Sequence, residues 1–438
     1  IPLLTHMPYV VPFDTRASLF RALVSMDHAE IQSAASSSLF HGGYSRGISA
    51  KVRRSHMLED GLVAYGKLHG ADFKQDFYIQ FYDDFGMREW GVDGGGLFKE
   101  FVVSIVREAF NPSNQVFWET ADHLLYPNAS SSARQSHSLN LYNFLGRLVG
   151  KSLYSNILID AQFALFFLSK VLGHQSQFDD LKSLDKEIYD GLVSLKRYEN
   201  DVESDFGLTF AVSSLVMNNP LNGNANQQPN TSSVVTIDLI PGGSDINVTR
   251  DNRFRYIELM CNHKLNVELS PQTRAFRQGL YEMIPQRWLR LFADPHELQM
   301  LISGKSAEID VNDMEANTVY GNEYNRNHPV IEMFWNVVRN RLTSAERRKL
   351  VQFITSCERP PLMGFSELRP SIQIVPDHGV ESANQAAAAT VATAANTSRL
   401  PTASTCVNQL RLPVYTAEDV MYQKLRRAIL SGAGFDLS

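Results

Sequence analysis

Residues 160–173 read DAQFALFFLSKVLG, a stretch with the length of a helix that is apolar nearly all round. A helix without a polar face has to be enclosed by other elements. Just before it, LNLYNFLGRLVGKSLYSN at 139–156 is also helical in pattern. Two such neighbours call for a sizeable helical body. The chain is long enough to build one, because 438 residues allow two or three domains at roughly 100–200 residues each. Its 44% hydrophobic and 20% charged residues are ordinary for a globular protein. No run of about 18 apolar residues exists, so no membrane span is expected. A net charge of −6 gives no sign of a nucleic-acid binder, which carries a basic patch or high pI. The N-terminus lacks the features of a signal peptide. It also lacks an initiator Met, so a fragment of a longer chain is expected.

Along the chain, the first 45 residues are mixed: 7–13 is apolar and Pro-bounded, and 33–47 reads as a loop. Residues 51–68 look helical, and FYIQFYDD at 77–84 has the aromatic density of a strand. GVDGGGLFKEFVVSIVREAFNP at 91–112 leads three glycines into a helix. Its Leu97, Phe101, Ile105 and Ala109 form one buried stripe. The glycine run matches neither a P-loop nor G-x-G-x-x-G, so a tight turn with close backbone packing is the better reading. Residues 178–212 mix acidic turns with apolar pairs, and 217–233 is a polar, low-complexity loop. Residues 236–249 read as two short strands around Pro-Gly-Gly, and a long helical region runs from about 252 to 292.

The polar gap NTVYGNEYNRNHPV at 317–330 is placed as an interdomain hinge. Beyond it lies an α+β unit of roughly 110 residues, a usual domain size. It holds a helix at 330–340 and a capping box of Thr343 and Glu346 that starts another. A strand at 371–375, an alanine-rich insert at 376–398 read as disordered, a strand at 406–412 and a last helix capped by Thr416 and Asp419 complete it.

Three scattered cysteines, Cys261, Cys357 and Cys406, are too few for a disulfide scaffold or a Cys-rich metal site. A reducing compartment, cytosol or nucleus, is the expected home. Cys261 and Cys357 read as packing, the usual fate of a lone cysteine. Cys406 follows Thr402-Ala403-Ser404-Thr405, small residues that leave space around the sulfur where a loop enters a strand. It is either a core thiol or a nucleophile. A papain-type enzyme needs a His roughly 130–150 residues downstream, and none follows Cys406. The nearest upstream, His378, lies at the edge of the insert. Without a dedicated base, a cysteine can still exchange thioesters. The attack expels a thiolate of similar pKa, and an exposed thiol of pKa ~8.5 supplies enough thiolate near neutrality. The residue pattern therefore selects acyl transfer by transthiolation.

LPTASTCVNQLRLP at 400–413, RPPLMGFSEL at 359–368 and the ending GFDLS closely resemble the C-terminal lobe of HECT-type ubiquitin ligases. RRSHMLEDG, GVDGGGLFKEF, YNFLGRLVGKSLY, PGGSDINVT, AFRQGL and ELQMLISG resemble the N-terminal lobe. The Ser-Thr-Cys stretch and the ending look most like the small branch with subtype letters B and C. The resemblance runs from about Lys51 to the last residue and implies an α+β, bilobal fold. Residues 1–50 would flank a mainly helical N-lobe at 51–320, with a small inserted subdomain at about 174–235. A hinge at 321–327, centred on Asn322, Glu323 and Tyr324, would lead to an α+β C-lobe at 328–438.

The implied activity is ubiquitin transfer. A ubiquitin-conjugating enzyme would dock on the small subdomain, and its ubiquitin would pass to Cys406 and then to lysines of protein substrates. Thr405 would be the nucleophile's partner and Phe435 the aromatic anchor that docks the C-lobe. No metal or organic cofactor, nucleic acid or membrane is implied. Many members have His two residues before the cysteine, where this chain has Ser404, and Asp436 is a candidate acidic helper. Leu192, Leu195 and Tyr198 are candidates for the conjugating-enzyme surface, although their i, i+3, i+6 spacing also fits a core face. A catalytically silent binding module and a thiol hydrolase are the rival readings.

Overall fold

The computed structural model describes residues 7–39, 48–83, 85–89, 96–130, 136–217, 232–377 and 399–431. The glycine run before Gly96, Met217 to Ser233 in large part, all but the first two residues of the insert, and Phe435 and Asp436 lie outside them.

The first part of the chain is mostly helical. Helix α1 (Phe13–Leu39) was not expected from the mixed opening sequence, and its Ala17, Phe20 and Val24 face inward. Strand β1 (Ile48–Arg53) precedes helix α2 (Met57–Tyr65) and pairs in parallel with strand β2 (Phe77–Tyr82). The expected helix at 51–68 is therefore shorter, because Lys51–Arg53 belong to a strand whose alternate residues Ala50 and Val52 are buried. Helix α3 (Gly96–Ala109) buries the stripe of Phe101, Ile105 and Ala109. Strands β3 (Phe117–Glu119) and β4 (Leu125–Pro127) form a hairpin. Helices α4 (Ser136–Tyr154) and α5 (Leu165–Leu172) follow.

The nearly all-apolar α5 is enclosed as its composition demands: Phe166, Phe167, Leu168 and Val171 are buried. Phe167 meets Phe117, Phe163 and Phe276 at ring-centroid distances of 6.3, 5.6 and 5.2 Å, in edge-on or tilted contact.

Helix α6 (Lys186–Arg197), with Asp185 as its N-cap, is followed by strands β5 (Ala211–Met217) and β6 (Ser232–Asp238). The two strands pair antiparallel across the 218–231 connection. Of the two short strands expected around Pro241-Gly242-Gly243, the first forms as the end of β6 and the second does not. Beyond β6 the chain makes a left-handed turn at Gly242 and a 3-10 turn, then returns with a single bridge between Thr209 and Asn247. The long helical region at 252–292 is broken into α7 (Arg253–Asn262), a π turn at His263–Val267 and α8 (Ser270–Met283). Pro271 starts α8 and Pro285 lies just after it, where a proline is tolerated in the first turn but cannot continue a helix. Helix α9 (Pro295–Ser303) closes this part.

Helices α4 and α8 pack backbone to backbone. A methyl placed on Gly279 would fall on the carbonyl oxygen of Asn143, and one on Gly146 would fall on that of Phe276. The glycines let the two helices approach with nothing between them.

The second part is built on a four-stranded sheet of order β7-β8-β10-β9. Helix α10 (Val311–Ala316) leads into β7 (Val319–Tyr320), helix α11 (Pro329–Asn340), helix α12 (Ser344–Thr355) and β8 (Gln373–Pro376). Strands β9 (Thr402–Ser404) and β10 (Gln409–Leu412) precede the final helix α13 (Glu418–Ser431). The capping box is present: the Thr343 hydroxyl accepts from the Glu346 amide at 3.2 Å, and the Glu346 carboxylate accepts from the Thr343 amide at 3.0 Å. The carboxylate also accepts from Arg426 of α13 at 2.6 Å, so the cap ties two helices together.

Two apolar cores correspond to the two parts. The first ends with Ile302, apart from Leu362, and the second begins at Ile309. The segment expected as the hinge, 321–327, lies beside the second core rather than between the two. Tyr324 is buried in the second core, and its hydroxyl donates to the Leu412 carbonyl at 2.8 Å. The Gly321 amide donates to Ile374 at 3.0 Å. Asn322 takes a left-handed turn (φ 60°) beside these anchors. Asn322, Glu323 and Tyr324 are thus fixed to the second sheet, and the segment that passes between the cores is 303–308. Among the described residues of the expected small subdomain, Leu181, Leu192, Leu195, Val202 and Phe210 belong to the first core.

The close helix contact generates an expectation. Gly279→Ala forces α4 and α8 apart and costs about 1–3 kcal/mol. Gly191→Ala, on exposed α6 with nothing within 4 Å of the new methyl, stabilises by about 0.5–1 kcal/mol. Chemical denaturation of the two variants checks both signs.

Candidate active site

Cys406 sits at the tip of a hairpin. Strand β9 runs antiparallel to β10 with Ser404 opposite Gln409, and a 3-10 turn of Thr405–Val407 joins them. The turn is closed by Asn408 in the left-handed region (φ 51°), a conformation asparagine tolerates better than most residues. The strand expected at 406–412 therefore begins three residues later, and the cysteine projects from a turn on a rigid sheet.

Asn408 fixes that turn. It is 1% exposed. Its side-chain amide donates to the Pro370 carbonyl at 2.5 Å, and its backbone carbonyl accepts from Gln373 at 2.9 Å. Its side-chain oxygen accepts from the Lys99 ammonium, which also donates to the Thr405 carbonyl at 2.8 Å. Thr405, expected as the nucleophile's partner, enters this arrangement through its carbonyl.

Lys99 belongs to the first turn of α3 in the other lobe, so the hairpin tip is docked against that helix. Gly96 makes the approach possible. A methyl there would lie 2.8 Å from a Val407 side-chain carbon and 3.3 Å from the Cys406 carbonyl oxygen. At Gly96, the last glycine of the run, this agrees with the close-packing reading and gives the packing a partner, the cysteine turn. Around this contact, Asn156 donates to the Glu367 carbonyl at 2.8 Å and Gln352 donates to Asp160 at 3.0 Å. The Cys357 thiol reaches the Ser303 carbonyl at 3.5 Å.

Burial is the largest influence on the Cys406 thiol and pushes its pKa up. The Glu100 carboxylate pushes in the same direction, and the Lys99 ammonium pulls it back down. Glu100 is itself held by Arg54, whose guanidinium also donates to Glu89 at 2.7 Å and lies 4.6 Å from the Phe81 ring centre. The thiol thus has an acid and a base of the same helix beside it and is not pre-ionised. Lys99, Glu100 and Asn408 were not singled out from sequence. The available signal was a Lys-Glu pair inside an otherwise apolar helical stripe, directly after the glycines.

The other cysteines are as expected. Cys357 is buried and its pKa is pushed up to about 12, mainly by desolvation. Cys261 is partly buried at the end of α7, and burial raises its pKa as well.

The candidate partner residues divide. Leu192 and Leu195 are 5% and 1% exposed and face the core of the first lobe, so they offer nothing to a docking protein. The helical spacing of the pair reflected a core face. Tyr198 is partly exposed. Its hydroxyl donates to Asp205 at 2.6 Å, its ring meets Phe206 edge-on at 4.8 Å, and its carbonyl accepts from Arg253. Phe206 and Phe254 are exposed nearby, and Phe254 lines a groove of about 400 Å³ with Phe178, Lys196 and Ile257.

A raised thiol pKa has a direct consequence. Alkylation of Cys406 by iodoacetamide is expected to be slower than that of free cysteine at neutral pH. It should climb as pH passes the ordinary thiol value, because only the thiolate reacts. Mass mapping of the alkylated residue against pH checks this, and a plateau already reached at neutral pH contradicts it.

The sequence profile described as HECT-domain (ubiquitin-transferase) matches residues 103–438. A probable E3 ubiquitin protein ligase of Schizosaccharomyces pombe is 40% identical over all of this chain and 38% of its own length. The E3 ubiquitin-protein ligase UPL6 of Arabidopsis thaliana is 37% identical over all of this chain and 39% of its own length. The human ubiquitin-protein ligase E3B is 36% identical, again over all of this chain, with 40% of its own length covered. The chain thus spans about two fifths of the length of these relatives.

Proposed function

The chain belongs to the HECT family of ubiquitin transferases, and on that premise we propose that it is an E3 ubiquitin-protein transferase working through a thioester on Cys406. The observation that carries the reading is the placement of Cys406, a partly exposed thiol on a turn fixed by Asn408 and Lys99. The Cys406 thiolate attacks the thioester carbonyl of ubiquitin carried by a conjugating enzyme. A C–S bond forms to Cys406, and the donor thiolate leaves. Exchange between two thiolates of similar pKa needs little proton management. A substrate lysine then attacks the new thioester, forming the isopeptide bond and returning the electron pair to sulfur.

The conjugating enzyme docks on the partly exposed Tyr198 and the exposed Phe206 and Phe254, the kind of side chain that anchors such interfaces. The lobes move about 303–308, so that Cys406 meets the donor and then the acceptor.

The test is single-turnover loading. Wild-type chain mixed with charged conjugating enzyme is expected to give a thiol-sensitive ubiquitin adduct. Cys406→Ala should give none, and Cys406→Ser a thiol-resistant oxyester. An adduct that persists in the alanine variant, or its absence from folded wild type across a panel of conjugating enzymes, rejects the reading in favour of a binding module. The docking surface has its own contrast. Phe254→Ala slows loading about tenfold, or ~1.4 kcal/mol, with stability unchanged. Leu192→Ala instead costs about 2–5 kcal/mol of stability through a core cavity. Loading rates and thermal melts separate the two.

A further inference from the structure

We infer that Lys99 is a positioning residue that seats the Cys406 turn on α3 and, from there, stabilises the negative charge that returns to sulfur when the acyl group leaves for an amine. The inference rests on the transferase reading above and adds a residue and a step to it.

The geometry comes first. Lys99 is 6% exposed. Its acceptors are two neutral carbonyl oxygens, that of Thr405 in the backbone and that of the Asn408 side chain. Both come from the other lobe, and they flank Cys406 on either side. Its neighbour Glu100 is engaged by Arg54. In the seated state the ammonium is buried and needs acceptors, and the turn supplies the two that it has. Asn408 cannot shift to compensate, because its amide and backbone carbonyl are committed to Pro370 and Gln373. The contact therefore sets the position of Cys406 relative to α3 within a hydrogen-bond length.

The chemistry then separates the two half-reactions. In loading, sulfur begins as thiolate and loses charge as the new C–S bond forms. A neighbouring cation raises the thiolate fraction and lowers its nucleophilicity, and the two effects partly cancel. In discharge, the amine nitrogen attacks the thioester carbonyl and the C–N bond forms. The C–S bond breaks with its electron pair going to Cys406, and the amine proton goes to water. Sulfur gains charge in this step, and a fixed cation in a desolvated site lowers that barrier.

The groups facing Lys99 bear on its own charge. Cys406 is on the turn, while Cys357, Arg359 and Arg369 line the same small cavity from the second lobe. Glu100 is the adjacent residue on α3, and Arg54 lies beyond it. Burial lowers the Lys99 pKa to about 8, against the opposing pull of Cys357 and Cys406. The seated cation is therefore present below that pH and lost as pH rises through it.

The experiment measures the half-reactions separately in wild type, Lys99→Met and Lys99→Arg. Loading uses charged conjugating enzyme; discharge uses the purified Cys406–ubiquitin thioester and free lysine. In Lys99→Met, discharge is expected to fall about tenfold while loading changes by less than about threefold. Lys99→Arg, which keeps the charge at every accessible pH, should recover discharge. In wild type the discharge rate rises with pH as the amine deprotonates, and the rise weakens near pH 8. That break should be missing in both variants. Equal losses in the two half-reactions, equal losses in the Met and Arg variants, or unchanged discharge in Lys99→Met would each overturn the assignment. Failure of wild type to load at all would instead remove the transferase reading, and this inference with it.

Discussion

The contact between Lys99 and the Cys406 turn organises the rest of the site. A buried ammonium demands acceptors, and it finds them in a hairpin whose tip is held in the left-handed conformation by Asn408. Asn408 in turn ties the tip to Pro370 and to the first residue of β8. The sheet, the turn and the docked helix are therefore one mechanical unit. Gly96 belongs to that unit, since a side chain there would press on Val407 and the Cys406 carbonyl.

That unit joins two bodies with separate apolar cores. Between the cores the chain is short, running from Ser303 to Glu308, and Gly304 there takes a left-handed φ of 84° against the Pro360 carbonyl. Many of the contacts across the interface are polar: Asn156 with Glu367, Gln352 with Asp160, Arg21 with Glu367, and Lys99 with the turn. Polar interfaces of this kind between domains of one chain accompany relative motion more often than rigid fusion. The proposed two-step acyl transfer, with different partners in each step, needs such motion, and the polar contacts, once broken, can be satisfied by water.

Much of this was legible in the sequence where local chemistry dominates. The nearly all-apolar α5 had to be enclosed; the α3 stripe and the Thr343–Glu346 box follow from helical spacing and capping geometry. Cys406 stood out through its small neighbours and the motif around it. Other features depended on distant partners. Residues 317–330 read as a polar gap holding a hinge at 321–327, yet Ile374 and Leu412, far along the chain, accept the hydrogen bonds that fix Gly321 and Tyr324. Leu192 and Leu195 could be core or surface by spacing alone, and tertiary packing decided for the core. Lys99 and Glu100 had nothing local to mark them beyond being a charged pair in an otherwise apolar helix. Only the docking of the second lobe buries them beside the thiol.

The central claim is that ubiquitin passes through Cys406 as a covalent intermediate. A rapid-quench pulse-chase tests it most directly, following labelled ubiquitin from conjugating enzyme to chain to lysine product. The account predicts that the Cys406 adduct rises and decays fast enough to account for all the product, which appears after a lag. Product that forms without a lag and without passing through the adduct would contradict it, because the chain would then be a scaffold for direct transfer.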